Sequence, residues 1–170
     1  MYKRQLEALV GAEPRLKQVA KDLIAHYEQR SKTQPGKALI VGMSREICAR
    51  LYNEILNLKP EWNDSDHMKG SVKVVMTASA SESELLQPHH TSKQQKKDLE
   101  NRFKDPNDPL KIVLVRDMWL TGFDAPCLAT MYVDKPMKGA NLAQAIARVN
   151  RVFKDKPGGL IIDYLSLIHI

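Results

Sequence analysis

The stretch Lys37-Ala38-Leu39-Ile40-Val41-Gly42-Met43-Ser44-Arg45 decides the fold of this chain. Residues 37–41 form a short, nearly continuous apolar run, which is typical of a strand buried on both faces of a parallel sheet. After the turn at Gly42, apolar side chains recur at helical spacing and predict a helix. They are Ile47, Leu51, Tyr52, Ile55 and Leu56. A strand, a tight turn and a helix together predict a βα unit, in which the loop after the strand lies at the edge where ligands bind.

Four further apolar runs repeat the pattern of this first strand. They lie at residues 72–76, 111–115, 130–133 and 160–164. Amphipathic segments separate them, among them a helix from about Ser92 to Lys104 that has Leu99 and Phe103 on one side and lysines on the other. Strands that alternate with helices predict an α/β fold built on a parallel sheet flanked by helices.

A separate amphipathic helix precedes the first strand. Glu13-Pro14 opens it, because proline is tolerated in the first helical turn. Its apolar face consists of Leu16, Val19, Ala20, Leu23, Ile24 and Tyr27. We expect residues 1–36 to form a docking helix and linker, with residues 1–5 outside the first periodic segment, residues 37–165 to form the main domain, and residues 166–170 to be a non-native tail.

Two of the loops that follow strands carry hydroxyl and basic groups suited to anions. Ser44 is placed to cap the next helix, whose first N–H groups can also bind an anion. For Ser44 and Arg45, capping with solvent exposure and contact with a nucleic-acid phosphate are both open interpretations. Thr77 and Ser79 likewise form either a phosphate-binding loop or an ordinary polar loop.

The loop at residues 116–126 contains three informative residues. Gly122 permits a close backbone approach, and the Asp124 carboxylate can accept a hydrogen bond from a ribose hydroxyl. Trp119 either packs in the core or lies against a base or sugar.

Two arginines mark the last predicted helix. Leu142, Ile146 and Val149 are spaced to form one buried face, whereas Arg148 and Arg151 share another face. Two neighbouring guanidiniums repel each other unless an anion lies between them, and arginine suits bidentate contact with phosphate. The alternative is a solvated basic face.

Composition limits the class of protein. The chain has 170 residues, a net charge of +6 and a pI near 9.3, which permits binding to a polyanion. It has neither an 18-residue apolar run nor a signal segment, so the expected location is cytoplasmic. Cys48 and Cys127 are predicted to be core residues, and no metal site is predicted because no histidine or cysteine cluster has ligand spacing.

Three long motifs occur in a fixed order: Asp117-Met118-Trp119-Leu120-Thr121-Gly122-Phe123-Asp124-Ala125-Pro126, Tyr132-Val133-Asp134-Lys135-Pro136-Met137 and Ala145-Ile146-Ala147-Arg148-Val149-Asn150-Arg151-Val152-Phe153. With Gln144 they resemble the last motifs of superfamily 2 helicases. The residues of these motifs resemble most closely those of the restriction (motor) subunit of type I restriction-modification enzymes, and the resemblance covers roughly Leu6 to Leu165.

The resemblance implies the second RecA-like, helicase C-terminal domain of a DNA translocase, which is P-loop NTPase-like without its own P-loop. It implies Arg151 as the arginine finger, Arg148 as a second phosphate contact and Gln144 as a positioning residue. Gly122 and Asp124 are then expected to line the nucleotide cleft.

The resemblance also implies a DNA-backbone contact surface and several partners. Its expected residues are Ser44, Arg45, Thr77 and Arg116, the last of which stands where many helicases carry threonine. The implied cofactors are ATP and Mg²⁺, bound mainly by another domain. The implied partners are double-stranded DNA, the first RecA-like and nuclease domains of the same subunit, and methylation and specificity subunits.

The sequence contains no Gly-x-x-x-x-Gly-Lys-Ser/Thr loop, which in P-loop proteins cradles the phosphates. The sequence also has no Asp-Glu pair at a strand end, and no part of it corresponds to a nuclease domain. We therefore expect this piece alone not to hydrolyse ATP appreciably or to cleave DNA. Two alternatives remain: another superfamily 2 helicase or remodelling ATPase, and a non-enzymatic α/β module that binds nucleic acid.

Overall fold

A computed structural model describes residues 2–77, 83–119, 125–137, 139–149 and 159–164. The described helices are α1 (Tyr2–Val10), α2 (Glu13–Ser31), α3 (Arg45–Leu58), α4 (Lys93–Lys104) and α5 (Gly139–Val149). The described strands are β1 (Lys37–Gly42), β2 (Val72–Val75), β3 (Ile112–Val115), β4 (Leu128–Asp134) and β5 (Leu160–Asp163). Short 3-10 turns span Pro60–Trp62 and Gln87–His89.

These strands form one parallel sheet in the order β2-β3-β1-β4-β5. The central strand is β1, in which Ile40 is in register with Leu114 of β3 and with Tyr132 of β4. Every residue of β1 is buried. The predicted α/β parallel sheet flanked by helices is therefore confirmed.

The sheet separates two hydrophobic clusters, because successive side chains of a strand point to opposite faces. Ala38 and Ile40 face one cluster, which includes side chains of α1, α2 and α3. Leu39 and Val41 face the other, together with side chains of α4 and α5. The result is a three-layer arrangement in which helices cover both faces of the sheet.

The N-terminal helices belong to the first of these clusters. All six residues predicted for the apolar face of α2 are buried. The expectation that residues 1–5 precede the first periodic segment is wrong, because α1 begins at Tyr2. Leu6 and Val10 lie one helical turn apart on α1 and are both buried.

The polar segment of residues 58–70 is anchored to the core at two points. Trp62 is buried, and the Arg102 guanidinium on α4 binds the loop backbone. Arg102 donates hydrogen bonds to the carbonyl oxygens of His67, Lys69 and Gly70 at 2.8, 3.0 and 2.9 Å. This buried cation holds a loop that has little apolar content of its own.

Both cysteines are buried, as predicted. Cys48 packs beneath the carboxyl end of β1, where burial raises the pKa of its thiol to about 12. Among the residues described, no helix has the length and apolar character needed to cross a membrane.

The predicted buried face of α5 needs correction. Ala145 and Val149 are buried, at 0% and 1% exposure, whereas Ile146 is 46% exposed. Residues 145 and 149 are four apart and share one face, and the small Ala145 side chain permits close packing on the sheet. The next residue, Ile146, is therefore turned away from it. The side chain of Leu142 lies outside the described part of the chain.

Alanine substitutions at the buried Val149 and at the exposed Ile146 test the orientation of α5. Val149→Ala removes two buried methyl groups, so we expect it to lower the free energy of unfolding by about 1.5 to 3 kcal/mol. Ile146→Ala is the matched control, with an expected change within about 0.5 kcal/mol. Urea unfolding of both variants measures the difference, and a larger loss for Ile146→Ala contradicts the orientation.

The buried histidine His89 predicts a pH-dependent stability. Its ring packs edge-on against Tyr52 with centroids 4.6 Å apart. Burial, with Lys73 and His90 nearby, lowers its pKa from 6.5 to about 4. The unfolded chain then binds the proton more tightly, so this stability contribution is complete above pH 6.5 and is lost as the pH falls towards 4.

The pH dependence is measured against a variant that lacks the titrating ring. We expect the free energy of unfolding of the wild type to fall between pH 6.5 and 4 by on the order of 2 kcal/mol more than that of His89→Phe. Phenylalanine keeps the aromatic contact with Tyr52. Parallel curves for the two proteins contradict a neutral buried His89.

Candidate functional site

The candidate site is the carboxyl edge of the sheet. All described strands are parallel, so the segments that follow them emerge at this one edge, which in open α/β sheets is where ligands bind. Basic side chains follow three of the strands: Arg45 after β1, Arg116 after β3 and Lys135 after β4. The edge is therefore suited to anions.

Ser44 caps the first of these helices. Its hydroxyl oxygen accepts a hydrogen bond from the Ile47 N–H at 3.1 Å, which confirms the predicted helix cap. The turn is also tightly packed, since a Cβ on Gly42 would lie 2.5 Å from the Cys48 Sγ. This compact turn cannot wrap around phosphates as a P-loop does.

Arg45 joins the loops after β1 and β2. Its Nη1 donates a hydrogen bond to the Thr77 carbonyl oxygen at 2.9 Å. Because β3 lies between β1 and β2, this contact crosses the end of β3. Arg45 and Thr77, both predicted to contact DNA, are thus brought together. The predicted loop residue Ser79 lies outside the described residues.

Lys135 makes a second bridge at the same edge. Its Nζ donates hydrogen bonds to the Arg116 carbonyl oxygen at 2.8 Å and to an Asp117 carboxylate oxygen at 2.9 Å. This contact crosses the end of β1, which lies between β3 and β4. The exposed Arg116 side chain is paired with Asp117 at 3.4 Å. Sequence reasoning assigned no role to Lys135, and only its position in the Tyr132–Met137 motif pointed to it.

A buried ion pair fastens the N-terminal helices to this edge. The Arg15 guanidinium of α2 binds both carboxylate oxygens of Asp134 at 3.0 and 2.5 Å, and Asp134 is 0% exposed. Arg15 also donates to the Val10 carbonyl oxygen at 3.0 Å. One guanidinium therefore joins α1, α2 and the end of β4. Sequence reasoning missed this pair, because 119 positions separate its members. Asp134 stands in the Tyr132–Met137 motif, but nothing in the sequence marks Arg15 as its partner.

The arginine helix starts from the same edge. α5 begins four residues after Lys135, and Gln144 on it is exposed. The backbone of Arg148 lies in α5, but its side chain lies outside the described residues. Gly122, Asp124 and Arg151 also lie outside them.

Trp119 is a core residue, which confirms the packing interpretation. Its ring lies 5.4 Å from the Phe103 ring, centroid to centroid, at 42°. Its backbone has a φ of 69°, in the left-handed region that costs a side-chain-bearing residue about 1 kcal/mol or more. Packing of the indole offsets this strain and fixes the start of the loop predicted to carry Gly122 and Asp124.

Two further clefts in the described part of the chain are lined by none of the predicted site residues. One of about 690 Å³ lies at the opposite, amino edge and includes Tyr27, Trp62 and Pro109 in its lining. Another, of about 480 Å³, includes His89 and His90. Among the residues described, no group of three or more potential ligands is arranged to hold a metal ion.

Comparison with solved structures identifies the fold. A fragment of an HsdR subunit of a type I restriction enzyme from Vibrio vulnificus YJ016 superposes with a TM-score of 0.69 at 18% identity, covering 96% of this chain and 28% of that one. The C-terminal domain of Dbp5 from S. cerevisiae superposes with a TM-score of 0.55 at 15% identity, covering 91% and 72%. This is the fold of a RecA-like helicase C-terminal domain.

Sequence comparison gives the family. The chain belongs to the family of type I restriction enzyme subunit R domain 3, whose sequence model matches residues 24–166. It is 56% identical over 167 residues to the HindI endonuclease subunit of Haemophilus influenzae, covering 96% of this chain and 16% of that protein. The MjaIXP endonuclease subunit of Methanocaldococcus jannaschii is 46% identical over 164 residues, with coverages of 96% and 15%. The chain thus spans about a sixth of the length of these relatives.

The Arg15–Asp134 pair yields a stability prediction. Arg15→Met leaves the Asp134 carboxylate buried without its cation, so we expect a loss of about 3 kcal/mol or more in the free energy of unfolding. The double variant Arg15→Met/Asp134→Leu removes both charges and is expected to recover most of that loss. Urea unfolding of the single and double variants measures this, and additive losses contradict a direct pair.

Proposed function

We propose that this chain is the second RecA-like motor domain of the R subunit of a type I restriction enzyme, where it contributes to ATP hydrolysis coupled to DNA translocation. The observation that carries the proposal is the basic carboxyl edge of the sheet, from which α5 also starts. Membership of the R-subunit family supports the assignment to a restriction enzyme.

In this proposal the nucleotide lies between this edge and the first RecA-like domain of the complete subunit. Arg151 acts as the arginine finger that stabilises negative charge on the transferring phosphoryl group, and Arg148 makes a second phosphate contact. Gln144, exposed on α5, has a positioning role. Gly122 and Asp124 line the cleft. ATP and Mg²⁺ are held mainly by the first domain, since this sequence has no P-loop.

DNA is proposed to contact the loops after β1, β2 and β3. Ser44, Arg45, Thr77 and Arg116 offer backbone N–H, hydroxyl and guanidinium groups, which bind phosphate without reading base sequence. Sequence-tolerant contacts suit a motor that moves along any duplex. Opening and closing of the two motor domains with each hydrolysis cycle is the proposed source of movement.

The proposed partners are those of a complete restriction enzyme. They are double-stranded DNA, the nuclease and first RecA-like domains of the same subunit, and the methylation and specificity subunits. The chain spans about a sixth of its relatives, so DNA cleavage is proposed for the complete subunit and not for these residues alone.

The proposal predicts a large effect of Arg151 on catalysis. In the complete R subunit, assembled with its partner subunits, we expect Arg151→Ala to slow DNA-stimulated ATP hydrolysis by about two to five powers of ten with ATP binding retained. The exposed Arg50 on α3 provides the matched control, since Arg50→Ala also removes one guanidinium but is expected to leave turnover unchanged.

The same measurements separate the alternatives. Unchanged turnover in Arg151→Ala contradicts the arginine-finger role and favours the interpretation of this arginine as part of a solvated basic face. DNA affinity that is independent of ATP and indifferent to Arg148 and Arg151 indicates a non-enzymatic binding module instead. The 170-residue chain alone is expected to hydrolyse ATP no faster than background, and robust turnover by it contradicts the proposed division between domains.

A further inference from the structure

The turn between β4 and α5 is held from two sides. Asp134 accepts two hydrogen bonds from the Arg15 guanidinium, and the next residue, Lys135, binds the Arg116 carbonyl and the Asp117 carboxylate. The two anchors therefore occupy consecutive positions in the chain. They tie this turn to α2 on one side and to the loop after β3 on the other.

The directions of the two anchors follow from the pleat of β4. Side chains alternate between the faces of a strand, and Tyr132 and Val133 belong to opposite clusters. Asp134 therefore points to the same face as Tyr132, where α2 and Arg15 lie. Lys135 follows the last residue of the strand and reaches across the end of β1 to β3. The turn is restrained both across the sheet and along its edge.

α5 has few other means of fixing its position. Of its described side chains only Ala145 and Val149 are buried, in one cluster near its far end. Its first residue, Gly139, has a φ of +59°, and a Cβ there would meet no atom within 4 Å. The entry to the helix is thus not fixed by close packing at Gly139. Between Gly139 and the Asp134–Lys135 turn, the partly buried Met137 packs against the second cluster, and the turn supplies the hydrogen-bonded anchors.

We propose that Lys135 is a positioning residue that sets the start of α5 against the loop after β3, while Arg15 secures the same turn from the opposite face through Asp134. The two segments joined by Lys135 lead directly into residues 120–124 and into the helix of Gln144 and Arg148. This inference rests on the proposed function of that helix in ATP hydrolysis. A shift of about 1 Å in such a group is enough to reduce turnover by up to about a hundredfold.

The test compares Lys135→Met with Lys135→Arg in the complete R subunit assembled with its partner subunits. Methionine keeps the aliphatic stem without the donors, whereas arginine can still donate to a carbonyl and a carboxylate. For Lys135→Met we expect kcat of DNA-stimulated ATP hydrolysis to fall by about tenfold or more, with KM for ATP changed by less than about threefold. Lys135→Arg is expected to keep most of the turnover. Lys97 on α4 has an exposed side chain, and Lys97→Met is the control for removing a surface lysine.

Hydrogen exchange of the same proteins without nucleotide reports the anchoring itself. We expect faster exchange in residues 136–149 of Lys135→Met only, with an unchanged thermal midpoint. Unchanged exchange there overturns the positioning role, whatever happens to turnover. Faster exchange with normal kcat keeps Lys135 as the anchor of α5 and overturns the role of α5 in hydrolysis. Equal loss of turnover in Lys135→Arg and Lys135→Met contradicts anchoring through these hydrogen bonds.

Discussion

The structure depends on the complete burial of the central strand β1. A parallel strand that has neighbours on both sides and no exposed residue must be covered on both faces, so helices are needed in two layers. That requirement places α1, α2 and α3 on one face and α4 and α5 on the other. Because all described strands are parallel, the segments that follow them lie at the carboxyl edge of the sheet, and the segments that precede them lie at the amino edge.

Because the strands are buried, charged side chains lie at the two edges of the sheet, where some of them stabilise the fold. At the amino edge, buried Lys37 donates to the Arg102 carbonyl at 2.7 Å, and burial lowers the pKa of its amine. At the carboxyl edge, Arg15 neutralises Asp134. Buried charges are stable only when paired and fully hydrogen-bonded. Arg15 and Lys37 are thus basic residues that hold the fold, whereas Arg45 and Arg116 are those proposed to contact DNA.

Sequence patterns predicted the strands and most helix faces, because buried strands and amphipathic helices leave local signatures within a few residues. They failed where a contact was distant or depended on side-chain size. Arg15 and Asp134 are 119 positions apart, so no period in the sequence links them. On α5 the buried stripe passes through Ala145 instead of Ile146, because a small residue allowed the helix to approach the sheet. Trp62 was overlooked because its neighbours are polar.

Family membership and geometry support different parts of the functional proposal. Membership of the R-subunit family links the chain to restriction enzymes, whereas the likeness of the solved structures, at 18% identity or less in those compared, concerns the fold alone. The geometry adds what neither gives: Arg45 and Lys135 each cross the end of an intervening strand to bind a loop carbonyl. The loops at the carboxyl edge are thus cross-linked into one surface. In the proposed function several of these loops contact a nucleotide and DNA at the same time, and their cross-linking would keep them in fixed relative positions.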